Sequence, residues 1–245
     1  MRLPSLAPRN LPPLRGGENP LWAVGLAEPL VFPPRLTVVL DLSHKEEELR
    51  YDLDEDCRSG IAKAKKNGLT FWVSESEKDL PLYHAIHKES WTRTTGGYQS
   101  IEYYERMLQK LPGKYRFVFV NLNEKSIAAV LLHKYKNSAY YWGGCSLPEA
   151  LKLNANAYAL WSAIQHSKET GIVWFEVGLF STFVGSNFKE FQVGRYKAQF
   201  ASTYLTPWEG MKHFSKKSAR RAFRERLKSF SSQFWFVFSR AGDSI

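Results

Sequence analysis

The residues that could do chemistry are few and lie in the second half of the 245-residue chain. Glu176 stands in Val173-Trp-Phe-Glu-Val-Gly178, a carboxylate among aromatic side chains. Loss of water around a carboxyl raises its pKa, and a carboxylate tuned upward can take a proton from an attacking amine. An ion pair with Lys189 accounts for the same carboxylate equally well. Lys189 itself, in Phe188-Lys-Glu-Phe191, reads in isolation as a solvated helix lysine. The pair Gly143-Gly144 follows Tyr141-Trp142 at the end of an apolar run and permits a bulge, because glycine tolerates the dihedrals required; a plain turn is the simpler reading. Several constellations are missing. The sequence has no GxGxxG, no GxxxxGK[ST], no HExxH and no GxSxG, so dinucleotide, P-loop, zincin and serine-hydrolase chemistry have no support. Cys57 and Cys145 stand far apart with no histidine partner and no Cys/His cluster, which argues against a structural zinc and for two free thiols. Direct transfer between two bound substrates fits these residues better than a covalent intermediate.

The elements that must hold them follow from periodicity. Leu36–Asp41 reads as a strand. Ser43 with Glu46 forms a capping box, opening a helix that runs through Ile61-Ala-Lys-Ala-Lys-Lys66 to a stop at Asn67-Gly68. Leu69–Ser74 is a strand. Helices are predicted over 79–93, with Leu82, Ile86 and Trp91 on one side, and over 101–111. Tyr115–Leu122, Ser126–Lys134 and Ala139–Cys145 lie at hairpin spacing. A long helix is expected over 149–169, a buried strand over 172–177, a helical turn over 183–191 and a last strand over 195–205. Such an order predicts an α/β, mixed α+β fold around one central mixed sheet flanked by helices.

Composition places the rest. Hydrophobic residues are 44% of the chain and aromatics 15%, enough for a core. The net charge is +10, yet residues 41–211 carry 21 basic against 20 acidic side chains, while residues 212–228 carry 8 against 1. The excess therefore belongs to one segment, with Phe223, Leu227 and Phe230 at helical spacing. A helix there suits tRNA phosphates or an anionic membrane surface; a solubilising face is the default for any charge run. Eight of the 12 prolines fall in residues 1–34, which excludes a helix or central strand. No apolar run reaches the roughly 20 residues of a membrane span, and the start lacks a secretory stretch. These features predict a cytoplasmic protein, peripheral to the membrane where 212–228 touches it. The boundaries expected are 1–35 (leader), 36–205 (catalytic domain) and 206–245 (basic helix and tail).

The order of elements resembles the acyl-CoA N-acyltransferase (GNAT) fold. Arg58-Ser-Gly-Ile-Ala-Lys-Ala-Lys-Lys-Asn-Gly68, Ala139-Tyr-Tyr-Trp-Gly-Gly-Cys145, Asn156-Ala-Tyr-Ala-Leu-Trp161, Phe175-Glu-Val-Gly178 and Gly185-Ser-Asn-Phe-Lys-Glu-Phe-Gln-Val-Gly194 are similar to its FemAB branch. That branch transfers amino acids from aminoacyl-tRNA to peptidoglycan precursors. The resemblance covers about residues 36–205 and corresponds to the second of the two lobes such proteins usually hold; a homodimer would restore a composite cleft. It implies that Phe188 and Lys189 lie at the reaction centre, the cation stabilising an oxyanion or a donor phosphate. It implies that a backbone N–H near Tyr141, Trp142 and Gly143 polarises the acyl carbonyl, and that Gly185 belongs to the substrate site. Arg58 suits an acceptor phosphate, with Lys65 beside it, and Asn156 caps or hydrogen-bonds at the cleft. No metal and no tightly bound cofactor are implied; the acyl donor is aminoacyl-tRNA or acyl-CoA. The stretch Ser146–Asn156 lacks the Arg/Gln-x-x-Gly-x-Gly/Ala loop that makes an anion nest for CoA, which favours a donor other than CoA. Two alternatives stand beside transfer to a cell-envelope amine: an acetyl-CoA-dependent N-acetyltransferase, and a non-catalytic one-lobe protein that binds RNA or an anionic surface.

Overall fold

A computed structural model of the chain describes residues 35–181, 188–201 and 203–205, with positions 215 and 220. The chain divides into two units, Met1–Pro207 and Trp208–Ile245, and the sheet and helices below belong to the first. The proline-rich leader lies outside the described residues, as does the basic segment 212–228 apart from Ser215 and Arg220.

Seven strands form one sheet: β1 (Arg35–Asp41), β2 (Leu69–Ser74), β3 (Tyr115–Leu122), β4 (Lys125–Tyr135), β5 (Ser138–Ser146), β6 (Trp174–Ser181) and β7 (Tyr204–Leu205). Their order is β2-β3-β4-β5-β6-β1-β7. All neighbours are antiparallel except β5 and β6. The meander β3-β4-β5 follows the expected hairpins, with Asn123 and Lys136 at positive φ of 54° in the two turns. Phe117, Val118, Phe119 and Val120 are all 0% exposed, so β3 is covered on both faces, as its unbroken apolar run requires.

Helices α1 (Glu46–Tyr51) and α2 (Glu55–Lys66) precede β2, α3 (Leu80–Thr95) and α4 (Ile101–Lys110) join β2 to β3, α5 (Pro148–Leu151) and α6 (Ala155–Glu169) join β5 to β6, and α7 (Phe188–Ala198) follows β6. Three expectations are corrected. The single helix expected from Ser43 breaks in two, because Asp54 stops the first and caps the second, its Oδ1 accepting the Asp56 N–H at 3.0 Å; α1 starts from Lys45, whose N–H donates to Glu48 Oε2 at 2.9 Å. The long helix over 149–169 divides at Asn154, which adopts left-handed φ of 55°. The strand expected over 195–205 begins as helix: α7 runs to Ala198, and among the described residues only Tyr204–Leu205 pair with β1. Tyr196 and Phe200 are spaced i, i+4 and meet edge to face at 5.3 Å, a helical contact that an alternating reading obscures. On α3 the buried residues are Leu80, Tyr83, Ile86, His87 and Ser90, while Leu82 and Trp91 remain 38% and 37% exposed.

Helix α6 carries the centre of the core. Leu160, Trp161, Ala163 and Ile164 are at most 2% exposed, and each large apolar side chain so buried stabilises the fold by roughly 1.5–3 kcal/mol. Buried Arg116 on β3 is fully engaged beside the end of α6, its Nε donating to Glu75 Oε1 at 2.5 Å and its Nη1 to Thr170 Oγ1 at 2.6 Å. Both cysteines are free and buried; burial pushes the Cys57 thiol up to about 12, which leaves it inert as a nucleophile. Among the described residues no helix is long and apolar enough to cross a membrane, and no group of three or more His, Cys, Asp or Glu is placed to hold a metal.

Candidate active site

The sheet opens where its only parallel pair separates. β5 and β6 pair at Ser138↔Trp174, Ala139↔Phe175 and Tyr140↔Glu176, and there the ladder ends although the strands run on to Ser146 and Ser181. Beyond Tyr140 and Glu176 the facing edges hold backbone N–H and C=O groups without a ladder partner, and such groups seek an acceptor or donor from a guest. The walls of this opening are both irregular. In β5 the register passes from Leu131↔Gly143 to Leu132↔Tyr141, leaving Trp142 as the extra residue of a bulge. In β6 it passes from Val38↔Gly178 to Val39↔Glu176, leaving Val177 extra.

The bulge in β5 sorts the candidates from the first wall. The Tyr141 hydroxyl lies 2.5 Å from where a Cβ on Gly144 would stand, so only glycine fits there. Burial raises the Tyr141 phenol, which keeps its hydroxyl protonated. Trp142 is 44% exposed, with its ring 4.8 Å from His133 and 6.3 Å from Tyr140. Gly143 faces the Tyr83 hydroxyl.

Glu176 sits at the apex of the opening. Thr37 Oγ1 on β1 donates to its Oε1 at 2.8 Å. Lys197 of α7 donates from Nζ to the Leu179 carbonyl at 2.8 Å. Burial lowers the Lys197 pKa, and the negative charge of Glu176 opposes that shift. Burial raises the Tyr140 phenol, and the Glu176 charge adds to it. Lys197 Nζ and the Tyr140 hydroxyl both crowd Gly178, within 3.1 and 3.2 Å of the place a Cβ would take. A carboxylate, a half-buried amine and a phenol thus gather at the point where the strands part. Sequence reasoning singled out Glu176 but not Thr37, Tyr140 or Lys197. Thr37 is 139 residues away, and Lys197 was hidden by reading its helix as a strand.

The other candidates are distributed differently. Arg58 Nη1 donates to the carbonyls of Tyr51 at 2.7 Å, Leu53 at 2.8 Å and Arg50 at 3.4 Å, closing the C-terminal end of α1. Lys65 is exposed in the last turn of α2, where a cation complements the helix dipole. Asn156 stands in the first turn of α6 and its carbonyl accepts the Tyr196 hydroxyl at 3.0 Å. It lines a cavity of about 270 Å³ together with Asp56, Gly60, Asn154 and Gln199. Phe188 and Lys189 lie at the start of α7, but their side chains, and Gly185 altogether, lie outside the described residues.

A second cavity, of about 210 Å³, adjoins the β5 bulge; Tyr83, His87, Trp91, Tyr104, Trp142 and Gly143 line it. His87 is 1% exposed; burial, and then the neighbouring His84, hold its imidazole down to about 4. An unfolded histidine titrates near 6.5. Below that value the unfolded chain binds a proton that folded His87 refuses. Its contribution to stability is therefore full above about pH 6.5, falls as the pH drops toward 4 and levels off beneath, a loss on the order of 3 kcal/mol. Burial also lowers His133 and His166, which adds to the same slope. The urea midpoint should drop between about pH 7 and about pH 5, and His87→Gln should flatten that drop.

Residues 53–197 match the family model for the acetyltransferase (GNAT) domain. Among solved structures, the crystal structure of FemX superposes with a TM-score of 0.64 at 14% identity, over 70% of this chain and 59% of that one. The C-terminal DUF2156 domain of a putative lysylphosphatidylglycerol synthetase from Agrobacterium fabrum superposes with a TM-score of 0.52 at 17% identity, over 70% of this chain and 57% of that one. The chain thus spans less than three fifths of either structure, and at these identities the likeness concerns the fold. No curated protein matches the chain.

Proposed function

The chain belongs to the acetyltransferase (GNAT) domain family, and on that premise we propose that it is an acyltransferase acting in the FemAB manner, moving an aminoacyl or acyl group onto an amine of a cell-envelope precursor. The observation that carries this reading is the parting of β5 from β6 at Tyr140 and Glu176. The opening offers free backbone donors on one edge and a carboxylate at its apex, as acyl transfer to an amine requires. In this reading the donor carbonyl accepts a hydrogen bond from the backbone at 142–144. The amine nitrogen attacks the carbonyl carbon and gives its proton to Glu176. The carbon–oxygen bond of an ester, or the carbon–sulfur bond of a thioester, then breaks, and the leaving group departs as an alcohol or thiol with the proton that Glu176 gives up. Lys189 stabilises the oxyanion, with Phe188 beside it. The basic segment 212–228 engages the polyphosphate backbone of a tRNA donor or an anionic membrane. The carboxylate of Asp56 on α2, which lines the cavity beside Asn156 in the first turn of α6, supports a donor other than CoA.

The test is transfer by the full chain of radiolabel from aminoacyl-tRNA or from acetyl-CoA to a peptidoglycan precursor bearing a free amine. The expected result is labelled amide from aminoacyl-tRNA, reduced in Lys189→Ala. Label that arrives only from acetyl-CoA would overturn the choice of donor, and no label from either would overturn the transfer itself.

A further inference from the structure

We infer that the cavity between α3, α4 and β5 is a specificity pocket for an uncharged apolar or aromatic group carried by one of the two substrates. Its role rests on the acyl-transfer reading; its occupancy does not. The floor consists of Tyr83, His87 and Tyr104, each at most 3% exposed. Their rings are mutually packed: Tyr83 stacks on His87 at 5.9 Å and meets Tyr104 edge to face at 5.4 Å, and Tyr104 meets His87 at 5.2 Å. Such packing leaves a rigid, preformed surface with no rearrangement needed to receive a ring.

The rim differs from the floor. Trp91, 5.0 Å from His87, is 37% exposed, and Trp142 is 44% exposed. Two half-bare indoles around one depression make a concave apolar surface that a guest would cover. The same Trp142 and Gly143 form the bulge in the wall of the opening, so a group seated here is joined directly to the acyl centre.

Size and charge narrow the guest. A volume of about 210 Å³ equals roughly seven waters at ~30 Å³ each. It admits a side chain or a short acyl tail, below the roughly 300 Å³ at which drug-sized pockets begin. No carboxylate, lysine or arginine lines it. The imidazole on the floor, His87, is engaged by the Gln99 N–H at 3.3 Å and lies 3.3 Å from the Tyr104 hydroxyl. A carboxylate would find no cation there. An ammonium would find no carboxylate, and Lys88 already stands 5.4 Å over the ring of Tyr98, which packs on His84.

Ligand-observed NMR titration of the full chain with N-acetyl amides of phenylalanine, leucine, lysine and glutamate tests the inference. The phenylalanine and leucine amides should bind about tenfold more tightly than the two charged ones. Trp91→Ala, and separately Tyr103→Ala at a residue that also lines the cavity, should each weaken the phenylalanine amide by about fivefold with the melting profile preserved. Equal affinity for all four amides, tighter binding of the lysine amide, or indifference to both rim variants would overturn it. Displacement of the bound phenylalanine amide by phenylalanyl-tRNA but not by alanyl-tRNA places the group on the donor. Retention of the amide against both charged tRNAs places it on the acceptor. Because binding is read without turnover, a chain that discriminates among the amides but transfers nothing keeps the pocket and loses the acyl-transfer reading. Transfer without discrimination does the reverse.

Discussion

Glu176→Gln is expected to lower kcat/KM for acyl transfer by about 10²- to 10³-fold while leaving the fold intact, the range in which general bases contribute. The substitution is nearly isosteric. The glutamine Oε1 can still accept the Thr37 hydroxyl that Glu176 accepts at 2.8 Å, so the link between β1 and β6 survives. What disappears is the ability to hold a proton taken from the amine. The negative charge that now opposes the lowering of the Lys197 pKa also disappears, so that amine should deprotonate at still lower pH in the variant. A carboxylate that merely anchors Thr37 makes a different prediction: the glutamine preserves the anchor, and kcat/KM stays within about threefold of wild type. Steady-state kinetics with a thermal melt on the same preparation separate the two, and an unchanged kcat/KM would remove Glu176 from the mechanism.

The parts of this site that were legible in the sequence are those built from neighbours. The meander over 115–146 announces itself by alternation and by short polar turns, and its strands pair as expected, because hairpin register is set locally. Gly143-Gly144 permitted a bulge although a plain turn was the simpler reading, and the extra residue proves to be Trp142, with Tyr141 packed over Gly144. Contacts between distant segments were not legible. Thr37 meets Glu176 across 139 residues. Arg58, read as a phosphate ligand through family resemblance, spends its Nη1 on carbonyls seven and five residues earlier, a capping role that no motif advertises. The aromatic floor had a signal that was passed over: Tyr83, His87 and Trp91 recur every four residues on α3, the spacing of one helix face. The face expected from the sequence, Leu82, Ile86 and Trp91, takes in Trp91 but omits Tyr83 and His87. The fold was legible from order and period. The site depends on which faces those elements turn toward each other, and that is settled by packing.

Gly178→Ala is expected to cost about 1–3 kcal/mol in stability and at least about tenfold in kcat/KM. Two effects coincide at this position. Gly178 holds φ at +92° in the β6 bulge, a conformation that a Cβ disfavours. A Cβ would also stand 3.1 Å from Lys197 Nζ and 3.2 Å from the Tyr140 hydroxyl. Each group must then move by a few tenths of an ångström. Lys197 would be pushed from its 2.8 Å bond to the Leu179 carbonyl, and Tyr140 from its place opposite Glu176 at the last paired register. Gly171→Ala isolates the first effect. Gly171 holds φ at +78° after α6, and nothing lies within 4 Å of the Cβ it would gain. That variant should lose stability through backbone strain alone, a fall in Tm of about 2–4 °C for each kcal/mol at this chain length, and should keep its kcat/KM. If the two alanines were to match in activity as well as in Tm, the crowding at Gly178 would have no part in positioning the site. The contrast between them is the direct measure of whether the parting of β5 and β6 is shaped by the side chains packed into its apex or by the backbone alone.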